Sequence, residues 1–297
     1  MSDDGGFLLC CDPLEPRAAD PHFGREATAL AARDVAVGLV DHDALVSGDA
    51  HAAVRRVPRD LGRCWYRGWM VPATAYERLS GALAGRGAEL VVPPPRFRAA
   101  HELPGWYEAF AEVTPESVWS TWEAGRVPAP DDVARLVAPL GGGPGVVKDY
   151  VKSRKHEWRE ACFVPDLADS GRATAVIARM VELQGTDLAG GIVVRRFEEL
   201  LGEGRPAEAR VWWVDGEPVL VGPHPDTPEV HVAPDLSQVL PAVLRLGCRF
   251  VTTDVAQRSD GTWRVVEVGD GQVSDLPADG AVEKVLGALL EAAKLPV

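Results

Sequence analysis

The sequence predicts an α/β domain over roughly the first hundred residues, followed by an α+β region that extends to the C terminus. Two observations predict this division. Short apolar runs alternate with helical segments before residue 93, a pattern that is typical of a parallel sheet with crossover helices. After residue 190, apolar runs come in pairs joined by tight turns, which indicates antiparallel hairpins. Pro93-Pro94-Pro95 marks the break between the two patterns.

In the first region, three apolar runs predict strands at residues 7–11, 35–40 and 88–92. Helical spacing of apolar residues predicts helices at 24–33 and 73–84. These elements alternate along the chain. We therefore expect a small parallel sheet covered by helices.

The second region begins with two predicted helices, at 115–124 and 131–140, and the latter opens with Pro130-Asp131-Asp132. A glycine-rich stretch at 141–145 then precedes a different pattern. The remaining predicted strands are at 146–148, 191–197, 208–214, 217–222, 249–256 and 262–268, and the remaining predicted helices are at 174–183, 236–246 and 280–293. Hairpins flanked by helices predict an α+β arrangement.

The composition is that of a globular protein with a strong negative charge. The 297 residues include 31 basic and 44 acidic side chains, for a formal net charge of −13. This charge repels nucleic acids and anionic membranes, so neither is predicted as a partner. No apolar run reaches the roughly 18 residues of a membrane span. Five cysteines without a CxxC motif predict reduced, buried thiols and a cytoplasmic protein.

Lysine is scarce in this chain and is concentrated at one place. The sequence has five lysines against 26 arginines, and Lys148, Lys152 and Lys155 fall within eight residues. A compact ammonium group suits phosphate binding, so the cluster is a candidate phosphate site. The alternative from clustering alone is a solvated turn.

Two acidic residues lie on neighbouring strands of the last predicted hairpin. Asp254 and Glu267 are surrounded by apolar residues, and acids in such strands usually have a partner. Carboxylates that converge on one face of a hairpin suit Mg²⁺, which prefers oxygen ligands. Asp270 follows in a glycine-rich turn and is predicted to fold back toward the same site. The alternative is an acidic hairpin that faces water.

Together, the lysines and the acids predict a nucleoside triphosphate site. Cationic side chains would contact the phosphates, and a metal ion would bridge them to the carboxylates. The sequence contains no Walker loop, no GxGxxG fingerprint before a helix and no protein-kinase signature. The site is therefore of another type.

Several stretches, taken in order, resemble the ATP-grasp superfamily, and more specifically its R-two-K clade. The stretches are Pro144–Lys148, Ile192–Glu198, Glu208–Glu217 and Val265–Val268, together with Asp254. Val147–Ser153 and Glu267–Gln272 are similar to stretches typical of the clade. The resemblance covers roughly residues 100–297.

The resemblance implies an ATP-grasp fold, in which two α+β subdomains grip the nucleotide. The preceding α/β domain then corresponds to a pre-ATP-grasp domain. The domains predicted on this basis are 1–100 for the N-terminal domain, 101–190 for the first subdomain and 191–297 for the second subdomain with the magnesium site.

The resemblance also implies roles for particular residues. Lys148 and Arg210 are predicted as catalytic residues, with Lys148 at the α- and β-phosphates and Arg210 at the γ-phosphate or an acyl phosphate. Asp254, Glu267 and Asp270 are the predicted magnesium ligands. The predicted nucleotide-binding residues are Lys148, Lys152, Ser153, Arg195, Arg196, Phe197 and Glu198, with Phe197 leading into the adenine hinge and Glu198 at the ribose.

Two positions depart from the wider superfamily. Gly269 stands where many members have an asparagine metal ligand, so Asp270 is the predicted substitute. An earlier phosphate-binding lysine is also missing, and Arg126 or Lys152 would have to replace it.

The function implied is an ATP-dependent carboxylate–amine ligase that uses ATP and Mg²⁺ and releases ADP and phosphate. Its substrates would be small-molecule or peptide carboxylates and amines, and a homodimer is the candidate assembly. A regulatory nucleotide-binding protein and a small-molecule phosphotransferase are the alternatives.

Two further residues carry open expectations. Arg67, in an aromatic cluster, is predicted either to clamp a substrate carboxylate or to pack between domains. His224 is predicted to be exposed in a proline-rich loop.

Overall fold

The computed structural model describes residues 5–202, 206–277 and 281–294, and within these ranges the strands form three four-stranded sheets. The first sheet is parallel, and the other two are antiparallel. The change of pattern along the sequence therefore corresponds to a change of sheet type.

The N-terminal sheet has the strand order β2-β1-β3-β4. Its strands are β1 (Gly6–Cys10), β2 (Val37–Val40), β3 (Gly62–Arg67) and β4 (Ala88–Leu90), and its helices are α1 (Gly24–Ala31), α2 (His42–Val46), α3 (Ala50–Ala53) and α4 (Ala73–Ala84). The sequence pattern does not predict β3, because arginines interrupt its apolar run. In the fold, β3 lies between β1 and β4, and its Trp65 and Tyr66 are fully buried.

The second sheet has the strand order β5-β8-β6-β7. Its strands are β5 (Ser117–Thr121), β6 (Gly145–Asp149), β7 (Phe163–Val164) and β8 (Gly191–Arg196), accompanied by α5 (Pro94–His101), α6 (Leu103–Phe110), α7 (Pro130–Val137) and α8 (Ser170–Gln184). Helix α8 begins where the Asp169 carboxylate accepts a hydrogen bond from the Arg172 backbone N–H. A core that includes Val147, Val176 and Val194 joins α8 to the sheet.

One predicted helix in this region is wrong. Residues 115–124 do not form a helix, since Ser117–Thr121 pairs with β8 as an edge strand. The segment alternates exposed and less exposed residues and contains valine, tryptophan and threonine, all of which favour strands. Pairing with a buried neighbouring strand therefore outweighs the local helical signal of the preceding proline and glutamate.

The third sheet has the strand order β10-β9-β11-β12. Its strands are β9 (Glu208–Val214), β10 (Glu217–Pro223), β11 (Phe250–Gln257) and β12 (Trp263–Asp270), accompanied by α9 (Val239–Leu246) and α10 (Ala281–Ala293). The predicted turn at Asp215-Gly216 joins β9 to β10, and both residues have positive φ, 49° and 84°. Such angles are typical of the tight turn of a hairpin.

The predicted domain boundaries at 100 and 190 stay predictions. Strand β8 lies just after the second boundary, but it pairs with β5 and β6 in the second sheet. The connection between the second and third sheets therefore follows β8 rather than preceding it.

The N-terminal sheet packs directly on the third sheet. Helix α10 lies in a shared core in which Val285 and Leu289 meet Phe7, Trp65 and Trp212. The Trp65 indole Nε1–H also donates to the Leu289 carbonyl at 3.0 Å. The C-terminal helix thus holds the first and last parts of the chain together.

Arg67 forms a second, polar connection at this junction. Its side chain is 1% exposed and donates to both carboxylate oxygens of Glu26, at 2.9 and 2.8 Å. The same guanidinium donates to the backbone carbonyls of Gly271, Gln272 and Ser274. Arg67 therefore packs between domains, and the substrate-clamp alternative is wrong because these partners occupy the group.

The sequence predicts buried, reduced cysteines and no apolar run long enough for a membrane span, and the structure agrees with both predictions. Cys10, Cys11, Cys64, Cys162 and Cys248 are all buried and form no disulfide. In the ranges that the structure describes, every helix is too short or too polar to span a bilayer.

We expect Arg67→Met to lower the free energy of unfolding by about 3–5 kcal/mol, because it leaves the buried Glu26 carboxylate without its cation. Urea unfolding followed by circular dichroism measures the loss. Arg78→Met, on the exposed side of α4, is the matched control and should change stability by less than about 0.5 kcal/mol. Equal effects of the two substitutions would contradict a special role for Arg67.

Candidate functional site

Charged side chains connect the second and third sheets and border the partly exposed space between them, the cleft. Lys148 on β6 is 5% exposed, and its Nζ donates to Oε1 of Glu267 on β12 at 2.8 Å. The Glu267 side chain is 43% exposed and remains accessible from the cleft. The predicted phosphate-site lysine and one predicted metal ligand thus meet, although 119 positions separate them.

Three charged residues lie side by side across the third sheet. Asp254 on β11 pairs in register with Glu267 on β12 and with Arg210 on β9. Residues directly opposite in antiparallel strands project to the same face. The row therefore presents two carboxylates and one guanidinium to the cleft, as the hairpin prediction requires.

Arg210 neutralises Asp254. Its Nε and terminal nitrogen donate to the two Asp254 oxygens at 2.7 and 2.8 Å. Burial by itself would raise the pKa of Asp254, but the hydrogen bonds and charge of Arg210, followed by those of His224, lower it to about 2. Asp254 is consequently ionised at neutral pH although it is almost fully buried.

Glu208 and His224 extend this charged row. Glu208 lies two residues before Arg210 on the same face of β9, and its Oε2 is 3.8 Å from His224 Nε2. The same imidazole nitrogen lies 3.4 Å from Asp254 Oδ2. Burial, with the nearby Asp254 charge, raises the pKa of Glu208 to about 7. For His224, burial lowers the pKa, but Asp254 and Glu208 outweigh it and the net shift is upward.

His224 is not exposed as the sequence predicts. Its side chain is 12% exposed, since the loop after β10 folds back over the sheet. Glu208, His224 and Asp254 each offer a ligand atom, and these atoms lie within 4.8 Å of one another. Two carboxylates and an imidazole at this spacing can hold a divalent cation.

A tight turn after β6 presents the other lysines. The buried Asp149 carboxylate accepts hydrogen bonds from the backbone N–H groups of Val151 and Lys152, and its other oxygen accepts from Gln184. The chain then turns back, and the backbone of Ser153 forms an antiparallel β-bridge with that of Lys148. Lys155 forms an ion pair with Asp226, in the loop that carries His224. The turn therefore places Lys152 and Ser153 beside Lys148.

Asp270 does not join the cleft. It lies three residues after Glu267 on β12, so its side chain projects to the opposite face, where it is fully buried. Its Oδ1 accepts hydrogen bonds from the backbone and side-chain nitrogens of Gln272, at 2.9 and 3.1 Å. Burial raises its pKa to about 7. The prediction that Asp270 replaces the missing asparagine stays a prediction, and in this structure the carboxylate lies away from Asp254 and Glu267.

The neighbourhood of Gly269 contains hydroxyl groups instead. A Cβ at this position would lie 3.0 Å from Thr252 Oγ1 and 3.6 Å from Ser274 Oγ. The two hydroxyls are themselves hydrogen-bonded at 2.9 Å. They occupy part of the space that a larger side chain would need at Gly269.

The two arginines of β8 have partners within the chain. Arg195 is buried and donates to Ser117 Oγ, to Thr114 Oγ1 and to the Val266 carbonyl, which joins the two sheets. Arg196 lies on the other face, where it pairs with Glu116 and with loop carbonyls near residue 140. Both nucleotide contacts stay predictions, and in this structure the two guanidinium groups bind partners within the chain.

Phe197 and Glu198 follow β8 at the connection between the sheets. The Phe197 ring lies 6.1 Å from Trp158 and 5.4 Å from Phe163, measured between ring centroids. Both Glu198 oxygens accept from Arg264 at 2.9 Å. Their nucleotide roles stay predictions, at a place that has an aromatic cluster and a fixed carboxylate.

Arg126, one of the two candidates for the missing phosphate-binding lysine, has partners within the chain. Its guanidinium carbon lies 4.4 Å from the centroid of the Trp122 ring, and a terminal nitrogen lies 3.5 Å from Asp132. These contacts hold Arg126 against α7. Lys152, on the turn beside Lys148, is the candidate of the two that lies near the predicted phosphate site.

The sequence profile of the ATP-grasp domain, R-two-K clade family 3, matches residues 139–290, which is more than half of the chain. The chain belongs to this family. The matched range contains Lys148, Arg210, Asp254 and Glu267. The sequence resemblance to the R-two-K clade is thus confirmed.

Solved structures confirm the ATP-grasp fold of this R-two-K-clade protein. D-cycloserine synthetase DcsG is 16% identical, with 97% of this chain and 100% of that chain covered and a TM-score of 0.61. The D-alanine-D-alanine ligase from Coxiella burnetii is 12% identical, with coverages of 98% and 95% and a TM-score of 0.59. ATP-grasp ligase PsnB, complexed with minimal precursor, Mg and ADP, is 15% identical, with coverages of 99% and 100% and a TM-score of 0.55. No curated protein shows significant sequence similarity to the chain.

Sequence reasoning missed three contributors to the cleft of this R-two-K-clade protein. Glu208 could have been found, because its two-residue spacing from Arg210 on a predicted strand places both side chains on one face. Asp149 could have been found only in part, since an aspartate after a strand often closes a turn. His224 gives no local signal, because its place depends on how a loop folds over the sheet.

We expect Asp270 to make the stability of the protein pH-dependent. Its pKa in the folded state, about 7, is above its ordinary value of 3.8, so its favourable contribution exists at low pH and is lost as pH rises from about 4 to 7. Asp270→Asn keeps an acceptor for Gln272 without the charge. Relative to this variant, the wild type should lose up to about 1.4 kcal/mol per pH unit in that range.

Urea unfolding between pH 5 and pH 8 measures this difference. Asp34→Asn, at an exposed position, is the control and should follow the wild-type pH profile. Parallel profiles for the wild type and Asp270→Asn would show that burial does not shift this carboxyl.

Proposed function

We propose that this R-two-K-clade protein is an ATP-dependent ligase that joins a carboxylate to an amine through an acyl phosphate, with release of ADP and phosphate. The observation that supports it is a matched pair of contacts across the cleft. Lys148 forms an ion pair with Glu267, and Arg210 forms an ion pair with Asp254. Each predicted phosphate-binding cation is therefore paired with one predicted metal-binding carboxylate.

The carboxylates fit a magnesium ion. Asp254 and Glu267 project from adjacent strands to one face, and each already attracts a positive group. Oxygen donors from one or two carboxylates, completed by phosphate oxygens, are the usual magnesium environment in such enzymes. When bound there, Mg²⁺ would supply positive charge that offsets the charge of the terminal phosphates. The Glu208 carboxylate and His224 lie next to this position.

Lys148 and Arg210 can exchange their carboxylate partners for phosphate oxygens when a nucleotide binds. Glu267 is exposed enough to exchange its partner, so Lys148 can turn its ammonium toward the α- and β-phosphates. Arg210 on β9 pairs in register with Asp254 and would stabilise negative charge on the transferred phosphoryl group. Phosphoryl transfer depends on positioning and charge neutralisation, and these residues supply both.

The remaining nucleotide contacts are assigned by position. Phe197 and Glu198 lie at the connection between the sheets, where adenine and ribose would bind. Lys152 and Ser153 lie on the turn beside Lys148 and would cover the phosphates. Nothing in this assignment requires Arg195, Arg196 or Asp270.

The relatives support this class of reaction. Their names include a D-alanine-D-alanine ligase and a D-cycloserine synthetase, and PsnB is described with Mg, ADP and a precursor peptide. We infer that the present chain takes a small-molecule or peptide carboxylate and an amine.

The direct test is ATP turnover with pooled amino acids and short peptides, followed by mass spectrometry. The expected product has the mass of acid plus amine minus water, and ADP accumulates with it. A stable phosphorylated product would instead indicate a phosphotransferase. Nucleotide binding without turnover would favour a regulatory protein. Gly269 is the residue that suggests this alternative, because many members of the wider superfamily have an asparagine metal ligand at that position.

We expect Lys148→Ala to weaken Mg·ADP binding by at least about tenfold, because one charge-assisted phosphate contact is lost. The fold should survive, since the partner Glu267 is partly exposed. Isothermal titration calorimetry measures the affinity, and Lys284→Ala on the exposed side of α10 is the control. Wild-type affinity in the Lys148 variant would remove this lysine from the phosphate site.

We expect Glu267→Gln to abolish ADP release while stability changes little, because the substitution keeps size and removes a metal-binding charge. A coupled ADP assay over a magnesium titration measures the effect. Glu217→Gln, at an exposed position of β10, is the matched control and should remain active. If Glu267→Gln had the same activity and the same magnesium dependence as the wild type, the metal would have to bind elsewhere.

A further inference from the structure

A cavity of about 380 Å³ lies outside the cleft, at the carboxyl ends of β1, β2 and β3. The chain passes from β1 to β2 on one side and later to β3 on the other, so the strand order reverses at β1. In open parallel sheets, ligands bind at such a reversal. The position of the cavity is therefore that of a binding site.

Three aspartates and one lysine give the lining of the cavity a net negative charge. Asp20 follows β1, and Asp41 and Asp43 follow β2. The Asp41 carboxylate accepts from the Ala44 backbone N–H and lies 3.7 Å from Arg56. Within the ranges that the structure describes, Asp43 has no side-chain hydrogen bond or ion pair, so its carboxylate is available to a ligand.

His42 lies between these two aspartates. Burial lowers its pKa and outweighs the opposing effect of Asp43 and Asp41, so the imidazole is neutral at neutral pH. Its Nδ1 is buried and has no hydrogen-bond partner in the described part of the chain. The residue therefore adds a polar group to the cavity without cancelling the negative charge.

Trp69 forms an aromatic wall of the cavity. Its indole Nε1–H donates to Asp20 at 2.9 Å, and its ring packs against His22 and Phe23, with centroids 4.4 and 5.3 Å away. The side chain is nevertheless 38% exposed. A fixed indole beside carboxylates is a favourable environment for an organic cation.

The cavity also borders the nucleotide cleft. Lys152 lines it and belongs to the turn held by Asp149, directly after the strand that carries Lys148. A molecule in the cavity would therefore lie next to the proposed phosphate end of the cleft. Its positive group would lie on the aspartate and tryptophan side, away from Lys152.

We propose that this cavity binds the ammonium group of an amine-bearing substrate, recognised by Asp41, Asp43 and the face of Trp69. The inference rests on the ligase function proposed above and specifies the charge of one substrate. An anionic or neutral substrate of the same size would not be held there.

Four compounds with four-carbon chains test the proposal by calorimetry with the full chain. Putrescine and 4-aminobutyrate carry ammonium groups, whereas succinate and butane-1,4-diol carry none. We expect the first two to bind and the last two not to bind. Asp43→Asn should weaken putrescine binding by about tenfold, and Trp69→Leu should weaken it as well.

The control is Asp34→Asn, outside the cavity, where asparagine tolerates the positive φ of 57°. It should leave putrescine binding unchanged. Failure of both ammonium compounds to bind, tighter binding of succinate, or indifference to Asp43→Asn would overturn the proposal.

Mg·ADP binding, measured on the same samples, separates this inference from the proposed function. Asp43→Asn should bind Mg·ADP as the wild type does, because the aspartate lies outside the nucleotide cleft. Mg·ADP binding without ammonium binding refutes the cavity proposal alone. If the ammonium compounds bind, their binding depends on Asp43 and Mg·ADP does not bind, the cavity assignment is supported and the ligase function is refuted.

Discussion

The cleft depends on one electrostatic constraint: carboxylates that converge on one face of a sheet need positive charge close by. Asp254 and Glu267 are cross-strand neighbours, and Glu208 lies close to Asp254. Arg210 supplies one positive group from the same sheet, and Lys148 supplies another from the facing sheet. Because Lys148 reaches across, charge balance also helps to bring the two sheets together. A bound metal and nucleotide would satisfy the same requirement with different partners.

A second constraint fixes the N-terminal domain relative to this cleft. Arg67 uses its donors on Glu26 and on three carbonyls of the turn that follows β12. That turn begins at Gly271, four residues after Glu267, so the N-terminal sheet supports the strand that carries a proposed metal ligand. Helix α10 adds an apolar contact between the same two sheets. The proposed substrate cavity and the proposed nucleotide cleft are therefore held in a defined relation, with the turn of Lys152 between them.

The arginines show how the same residue type serves different purposes. Arg67 and Arg195 are buried and bind backbone carbonyls, which a planar group with several donors does well. Arg210 remains beside the cleft, on a carboxylate that a metal could take over. Lysine appears where a mobile point charge is useful, at Lys148 and on the turn beyond it. The unusual lysine distribution of this chain thus coincides with the proposed phosphate site.

The sequence by itself determined the change from a parallel to an antiparallel region, the hairpin that pairs Asp254 with Glu267, and the cluster of lysines near residue 148. These features follow from local periodicity and turn chemistry, which act over a few residues. Only the tertiary structure decided that Asp270 lies buried behind the sheet, that Arg195 and Arg196 bind structural partners, and that residues 117–121 form an edge strand. It alone placed His224 against Asp254 and Lys152 beside the acidic cavity. The reason is physical: which groups a side chain or loop meets is set by the packing of elements that are distant in sequence, and no local pattern records it.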